Sequence, residues 1–172
     1  MMLTLSEIEA KVNQLAQIIG APKNILPTYG YSEQTARPHV ESSSVAYYYV
    51  IAERGQELSR YAAFELDELL YKIFADVTFE LAIKYELTHR VENQDSRRIH
   101  FQHQVDLLSK LSPTWGERES KEHEEILKQH PFDDYASIRA TFSKELREQG
   151  NSSEVAWRMA REKYPLPKES GK

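Results

Sequence analysis

Thr78–Leu111 reads TFELAIKYELTHRVENQDSRRIHFQHQVDLLSKL and lies within the longest run of the chain that contains neither proline nor glycine. Apolar Phe79, Ala82, Ile83 and Leu87 recur at helical spacing, and Phe101, Val105, Leu108 and Leu111 do so again. The stretch therefore predicts two helices joined at Glu92–Asp95. Between the stripes lies a polar cluster of alternating sign, His89, Arg90, Glu92, Asn93, Asp95, Arg97 and Arg98, with Glu86 one turn before it. Such a cluster at a helix junction fixes how two helices meet through charge-assisted hydrogen bonds, or lines a pocket. The structural role is the simpler expectation.

Outward from this stretch, Leu66 to Phe74 predicts a helix with Asp67 and Glu68 in its first turn, where the helix dipole favours acids. Asp76 marks its expected end, and Thr78 is a plausible cap for the next helix. Upstream, Val45 to Glu53 (VAYYYVIAE) is the strongest strand signal. It is flanked by expected strands at Pro38–Glu41 and Glu57–Ala63, with turns at Ser42-Ser43-Ser44 and Arg54-Gly55. In the central strand Tyr47 and Tyr49 share one face and Tyr48 and Val50 the other, both largely apolar. The first helix runs from Ser6 to Ile19, with capping-box spacing at Thr4/Glu7 or Ser6/Glu9 and Gly20 beyond its end. Ala21 to Arg37, broken by Pro22, Pro27 and Gly30, reads as a loop carrying Tyr29 and Tyr31.

Downstream, Ser112-Pro113 opens a helix reaching about Gln129, whose segment ERESKEHEE is so polar that a surface position is expected. After Pro131-Phe132-Asp133-Asp134, two helices follow, Tyr135–Gln149 and Ser153–Tyr164, the second opened by Asn151 with Glu154. The expected fold is α+β: a small three-stranded antiparallel sheet packed with several α-helices, and a C-terminal helical hairpin. The expected division is 1–134 as the α+β body, 135–165 as the hairpin and 166–172 as a disordered tail.

Composition narrows the function. The chain of 172 residues has no cysteine, which excludes disulfides and thiolate chemistry. Its net charge of −5 argues against general nucleic-acid binding. No apolar run approaches the roughly 18 residues of a membrane span, and the first residues lack the basic start and apolar core of a secretory signal, so a cytoplasmic location is expected. The negative charge is concentrated: residues 65–95 carry three basic and eight acidic groups, a net of −5. An acidic face of this kind steers a basic partner, although a solvated helix surface is the plainer reading of the same charges.

Specific chemistry is thinly signalled. Glu86-Leu87-Thr88-His89 has the Glu-x-x-His spacing of di-iron bundles, but the motif occurs once where such a site needs two copies. His100 and His103 could share a metal but sit beside Arg97 and Arg98. No Gly-x-Ser-x-Gly elbow and no glycine-rich phosphate loop is present. No cofactor and no metal are therefore expected.

Six phrases resemble the Immunity protein 63 family, bacterial proteins encoded beside polymorphic toxins. They are LPTYGYS (Leu26–Ser32), ARPH (Ala36–His39), ERGQEL (Glu53–Leu58), LDELLY (Leu66–Tyr71), YELTHRVENQDSRR (Tyr85–Arg98) and HPFDD (His130–Asp134), and the resemblance covers about Leu3 to Asp134. The resemblance implies a non-enzymatic immunity protein that binds a cognate toxin C-terminal domain and blocks it. No catalytic residue carries over. It implies an interface of acidic and aromatic side chains, for which Tyr29, Tyr31, Tyr47, Tyr49, Glu65, Asp67, Glu68, Asp76 and Glu80 are the candidates. The alternatives are a small enzyme or metal-binding protein with a site around Glu86, His89, Glu92 and Asp95, or a structural protein that self-associates through its apolar sheet face.

Overall fold

The structure, a computed structural model, describes residues 1–168. Of the tail expected over 166–172, residues 169–172 lie outside the described residues. The chain opens with α1 (Leu5–Ile19), whose Thr4 cap and Glu7 form a reciprocal capping box, and whose end is closed by Gly20 in the left-handed region at φ 69°. Ile8, Val12 and Ala16 form its buried stripe.

A four-stranded sheet follows, in the order β1 (Thr28–Tyr29), β2 (His39–Ser42), β3 (Tyr47–Glu53), β4 (Gln56–Ala63). This corrects the expected three strands. The pieces from β2 to β4 pair antiparallel, and β1 adds a parallel edge inside the segment read as a loop. Pro27 and Gly30 hide β1 in the sequence, yet the two residues between them are long enough to pair. Thr28 N–H donates to the Pro38 carbonyl at 3.0 Å and Gly30 N–H to that of Val40 at 2.8 Å. The β3–β4 hairpin turns on Arg54 and Gly55, both at positive φ, which matches the right-handed twist of the strands. Its register shifts by a bulge between Ile51 and Ala52, so Glu57 opposes Ala52 while Ser59 opposes Ile51.

α2 (Leu66–Thr88) is one unbroken helix of 23 residues, which corrects the expected break near Asp76. Asp76 pairs sideways with Lys72 at 3.3 Å, and the Thr78 hydroxyl donates back to the Phe74 carbonyl at 2.6 Å. Both residues satisfy their polar groups within a continuing helix, so neither acts as a boundary. α2 packs on β3 and β4, α1 lies against β1 and β2, and α3 (Arg97–Leu111) and α4 (Pro113–Gln129) complete a helical layer. The core joins Ile8, Val12, Val40, Tyr47, Tyr49, Leu69, Ile73, Phe74, Leu108 and Trp115. Gly116 lets α4 approach α3: a Cβ there would stand 1.9 Å from Ser109 Oγ and 3.0 Å from its Cβ.

α5 (Ala136–Glu148) and α6 (Ser153–Lys163) pack on one another as the hairpin. The cap of α6 is Ser152, which accepts from Val155 N–H, rather than Asn151. Asn151 instead donates from its amide to the Leu146 carbonyl and finishes α5.

Candidate functional site

The polar cluster divides into two groups. In the first, Glu86 is buried and accepts two hydrogen bonds from the Arg90 guanidinium, at 2.9 and 3.0 Å. The arginine holds its carboxyl below the usual carboxylate range. His89 turns away from Glu86: its ring stacks on Tyr85 at 3.8 Å, and its Nδ1 meets the Tyr85 carbonyl and Thr88 Oγ1. His103 stacks on the other side of Tyr85 at 3.7 Å, whereas His100 points inward against Phe79. The Glu-x-x-His spacing thus brings no shared ligand site together, and among the described residues no three His, Asp or Glu side chains converge as metal ligands.

The second group clasps the hairpin to the body. Asp95 accepts from Arg97 through both the backbone and the guanidinium, and from Asp133 N–H at 2.9 Å. In return, Asp95 N–H donates to Asp134 at 2.9 Å. Burial pushes the Asp95 carboxyl up, but the arginine and the two backbone donors outweigh it and hold it below its usual range. Arg98 forms a two-pronged pair with Asp134, and its guanidinium lies 4.2 Å over the Phe132 ring. Buried Arg139 reaches back from α5 to both oxygens of Asp133 and to the carbonyls of Tyr164 and Pro165. Asp95, Arg97 and Arg98, expected to fix how α2 and α3 meet, find their long-range partners at residues 130–134, 33 to 39 residues away in sequence. Above the clasp, a groove of about 670 Å³ runs between residues 90–96 and α5, lined by Arg90, Val91, Glu92, Asn93, Ser137 and Ile138, among others.

The candidate interface residues do not share one surface. Tyr47 and Tyr49 are core side chains, 2% and 3% exposed, and the Tyr47 hydroxyl accepts from Leu3 N–H. Tyr29 is half-buried, and burial raises its phenol well above the usual range. Tyr31 is exposed at the edge of a small cleft of about 200 Å³. Asp67 accepts from the Trp115 indole and Glu68 from the Tyr61 hydroxyl, so both help to anchor the start of α2. Asp76 pairs with Lys72 and Glu80 with Lys84, while Glu65 stands exposed before the helix.

Two features were not anticipated from the sequence. The first lies in α4, where Glu119 and His123 are turned inward although the segment was expected on the surface. The Tyr71 hydroxyl donates to Glu119 at 2.7 Å, and His123 Nε2 meets Glu119 Oε1 at 3.2 Å and Gln104 Oε1 at 3.0 Å. Gln104 donates from its own amide to the Ala75 carbonyl at 3.0 Å. Both neighbours of Nε2 are acceptors, so that nitrogen carries the hydrogen and α2, α3 and α4 are tied by one chain of bonds. Burial pushes the Glu119 carboxyl up, and the His123 and Tyr71 hydrogen bonds reverse this and lower it. The i, i+4 spacing of Glu119 and His123 was the available signal.

The second feature is the open side of α2. Seven of its nine buried residues precede Phe79, and only Ala82 and Glu86 follow. Phe79, Ile83 and Leu87 are 47%, 38% and 59% exposed. Of the apolar stripe Phe79, Ala82, Ile83 and Leu87, only Ala82 is buried.

This arrangement, a helical layer over one face of a small mixed sheet with an exposed apolar helix face, is an α+β fold. Residues 43–125 match the family model of Immunity protein 63, so the family resemblance seen in the sequence is supported from before β3 into α4. The match is narrower than the Leu3–Asp134 extent expected for the resemblance, and the phrases Leu26–Ser32, Ala36–His39 and His130–Asp134 lie outside it. No curated protein and no solved structure matches the chain.

Proposed function

We propose that the protein is a bacterial immunity protein, one that binds a cognate polymorphic-toxin domain and neutralises it by protein–protein contact. The observation that carries this reading is the Immunity protein 63 match over residues 43–125, which contains β3, β4, α2 and α3 entire. The distribution of charge supports it, since the net −5 of residues 65–95 falls on α2 and the loop after it and favours a basic partner. Of the anticipated interface, Tyr31, Glu65, Asp67 and Glu80 are the exposed members. The enzyme alternative around Glu86, His89, Glu92 and Asp95 has no converging site to support it, because Glu86 turns to Arg90, His89 to Tyr85 and Asp95 to Arg97. Among the described residues no helix is long and apolar enough to cross a membrane.

The test is co-expression with the toxin-like C-terminal domain encoded beside this gene. Restored growth, with co-elution of the two purified proteins, is the expected result. Continued arrest of growth, with separate elution, overturns the reading.

A further inference from the structure

We propose that the corner where β4 runs into α2, centred on Phe64 and Glu65, is a docking point for an arginine side chain of the toxin domain. This rests on the immunity reading and gives it a place and a chemistry. Phe64 is 68% exposed, and so is Val45. Tyr47 pairs with Ala63 at the end of the β3–β4 ladder, so Val45 and Phe64, each just beyond that pair, stand at the same end of the sheet. Two exposed apolar side chains there form the centre of a contact surface.

The unpaired negative charge lies at this corner. Of the eight acids in residues 65–95, Asp76, Glu80 and Glu86 pair with Lys72, Lys84 and Arg90, and Asp95 pairs with Arg97. Glu92 stands in the loop at the far end of α2. Glu65, Asp67 and Glu68 remain, and among the described residues none of the three forms an ion pair. Asp67 accepts from the neutral Trp115 indole, and Glu68 from the Tyr61 hydroxyl and the Phe64 N–H. The start of a helix sets only about half a positive charge against them. Arg118 of α4, which faces the Tyr61 hydroxyl, is already committed to the Tyr71 ring.

The chain itself shows what fits. Elsewhere it repeatedly sets a guanidinium on an aromatic ring and against a carboxylate. Arg60 lies 5.2 Å over Tyr48 and bonds Glu41, Arg98 lies 4.2 Å over Phe132 and bonds Asp134, and Arg118 lies 3.9 Å over Tyr71 beside Glu119. At Phe64 and Glu65 the ring and the carboxylate are exposed, and among the described residues no cation lies over the ring. A guanidinium is weakly hydrated, stacks on rings and offers its N–H groups to a carboxylate. An arginine brought by the partner completes the same unit. A second copy docked corner to corner would instead set three acids against three, and like charges face to face oppose association.

The experiment uses the full chain, the adjacent toxin domain and the variants Phe64→Leu, Phe64→Tyr, Glu65→Gln and Phe64→Leu/Glu65→Gln. Asp67 and Glu68 are left intact because they hold Trp115 and Tyr61. Binding is measured by titration calorimetry at two salt concentrations, folding by circular dichroism, and self-association by sedimentation. Phe64→Leu and Glu65→Gln should each lose roughly 10-fold in affinity. The double variant should lose roughly 30-fold or more, less than the product, because both groups hold one guanidinium. Phe64→Tyr, which keeps the ring, should bind as wild type, and Glu65→Gln should weaken the salt dependence. Leu87→Glu, exposed at the other end of α2, should also bind as wild type. If the double variant misfolds, the two single variants decide. Full affinity in the folded variants overturns the docking point and leaves the immunity reading standing. A loss from Glu65→Gln with none from Phe64→Leu overturns the arginine as occupant. A wild-type dimer that the double variant dissolves shows that a second copy occupies the corner, and overturns the assignment. Failure of the wild-type chain to bind the toxin domain overturns both readings.

Discussion

His100 brings an ionisable ring into the seam between α2 and α3, where its Nε2 is buried without a partner. Burial, then the nearby His123, lowers its pKa from the ordinary 6.5, against weaker opposing effects from the Phe79 backbone and Glu86. His103 is shifted in the same direction, chiefly by burial. Because the folded pKa is depressed, the unfolded chain binds more protons just below pH 6.5, so stability falls as pH falls through that value. Thermal melts at pH 7.5 and 5.5 should show this loss, and His100→Gln should lessen it. The carboxylates of Asp95, Glu119 and Asp134 are lowered from 3.8, 4.5 and 3.8. Their contribution is present above those values and is lost in a separate, more acidic step. Asp95 also supports a structural prediction. Its replacement by alanine strands the Asp133 N–H and removes the carboxylate partner of Arg97, which keeps its bonds to the His130 and Pro131 carbonyls, and should cost about 2–4 kcal/mol in urea unfolding.

Among the elements, the α3–α4 contact depends on the lack of a side chain at Gly116. Gly116→Ala should destabilise by about 1–3 kcal/mol, since an inserted methyl forces helices or side chains apart. Ser109→Ala should rescue it only in part, because the 3.0 Å contact with the Ser109 Cβ and the 3.2 Å contact with its Cα persist; denaturation of the two single variants and the double variant checks this. Elements defined by local signals were legible in the sequence. α1 has its capping box and glycine stop, and β3 has its β-branched and tyrosine run. The unbroken α2 was not legible, because Asp76 and Thr78 are cap-forming residues whose actual partners, Lys72 and the Phe74 carbonyl, exist only once the helix continues. β1 was missed because two residues between a proline and a glycine form a strand only when β2 is beside them. Alternating charge marked Asp95 and its arginines as a polar cluster, whereas the partners Asp133 and Asp134, and Arg139 beyond them, required the fold to bring them near. The inward turn of Glu119 and His123 follows from Tyr71 and Gln104, 48 and 19 residues away, and the stripe of α2 did not reveal where its cover ends.

At the scale of the molecule, the hairpin meets the body through the clasp centred on Asp95, Asp133, Asp134 and Arg139, and we propose that the chain divides near residue 134. We expect a truncation after Asp134 to retain a cooperative unfolding transition at a lower temperature, measured by calorimetry. Loss of any cooperative transition would show that the hairpin is integral to the body. The bulged hairpin at the sheet's far edge has a consequence for the protein in concentrated solution. β4 is an eight-residue strand with one side unpaired, the kind of edge on which sheets add strands without limit. The shift at Ile51/Ala52 interrupts its regular spacing, and Arg60, tied to Glu57 and Glu41, sets charge along it. A strand that is kinked and charged is a poor template for fibril growth.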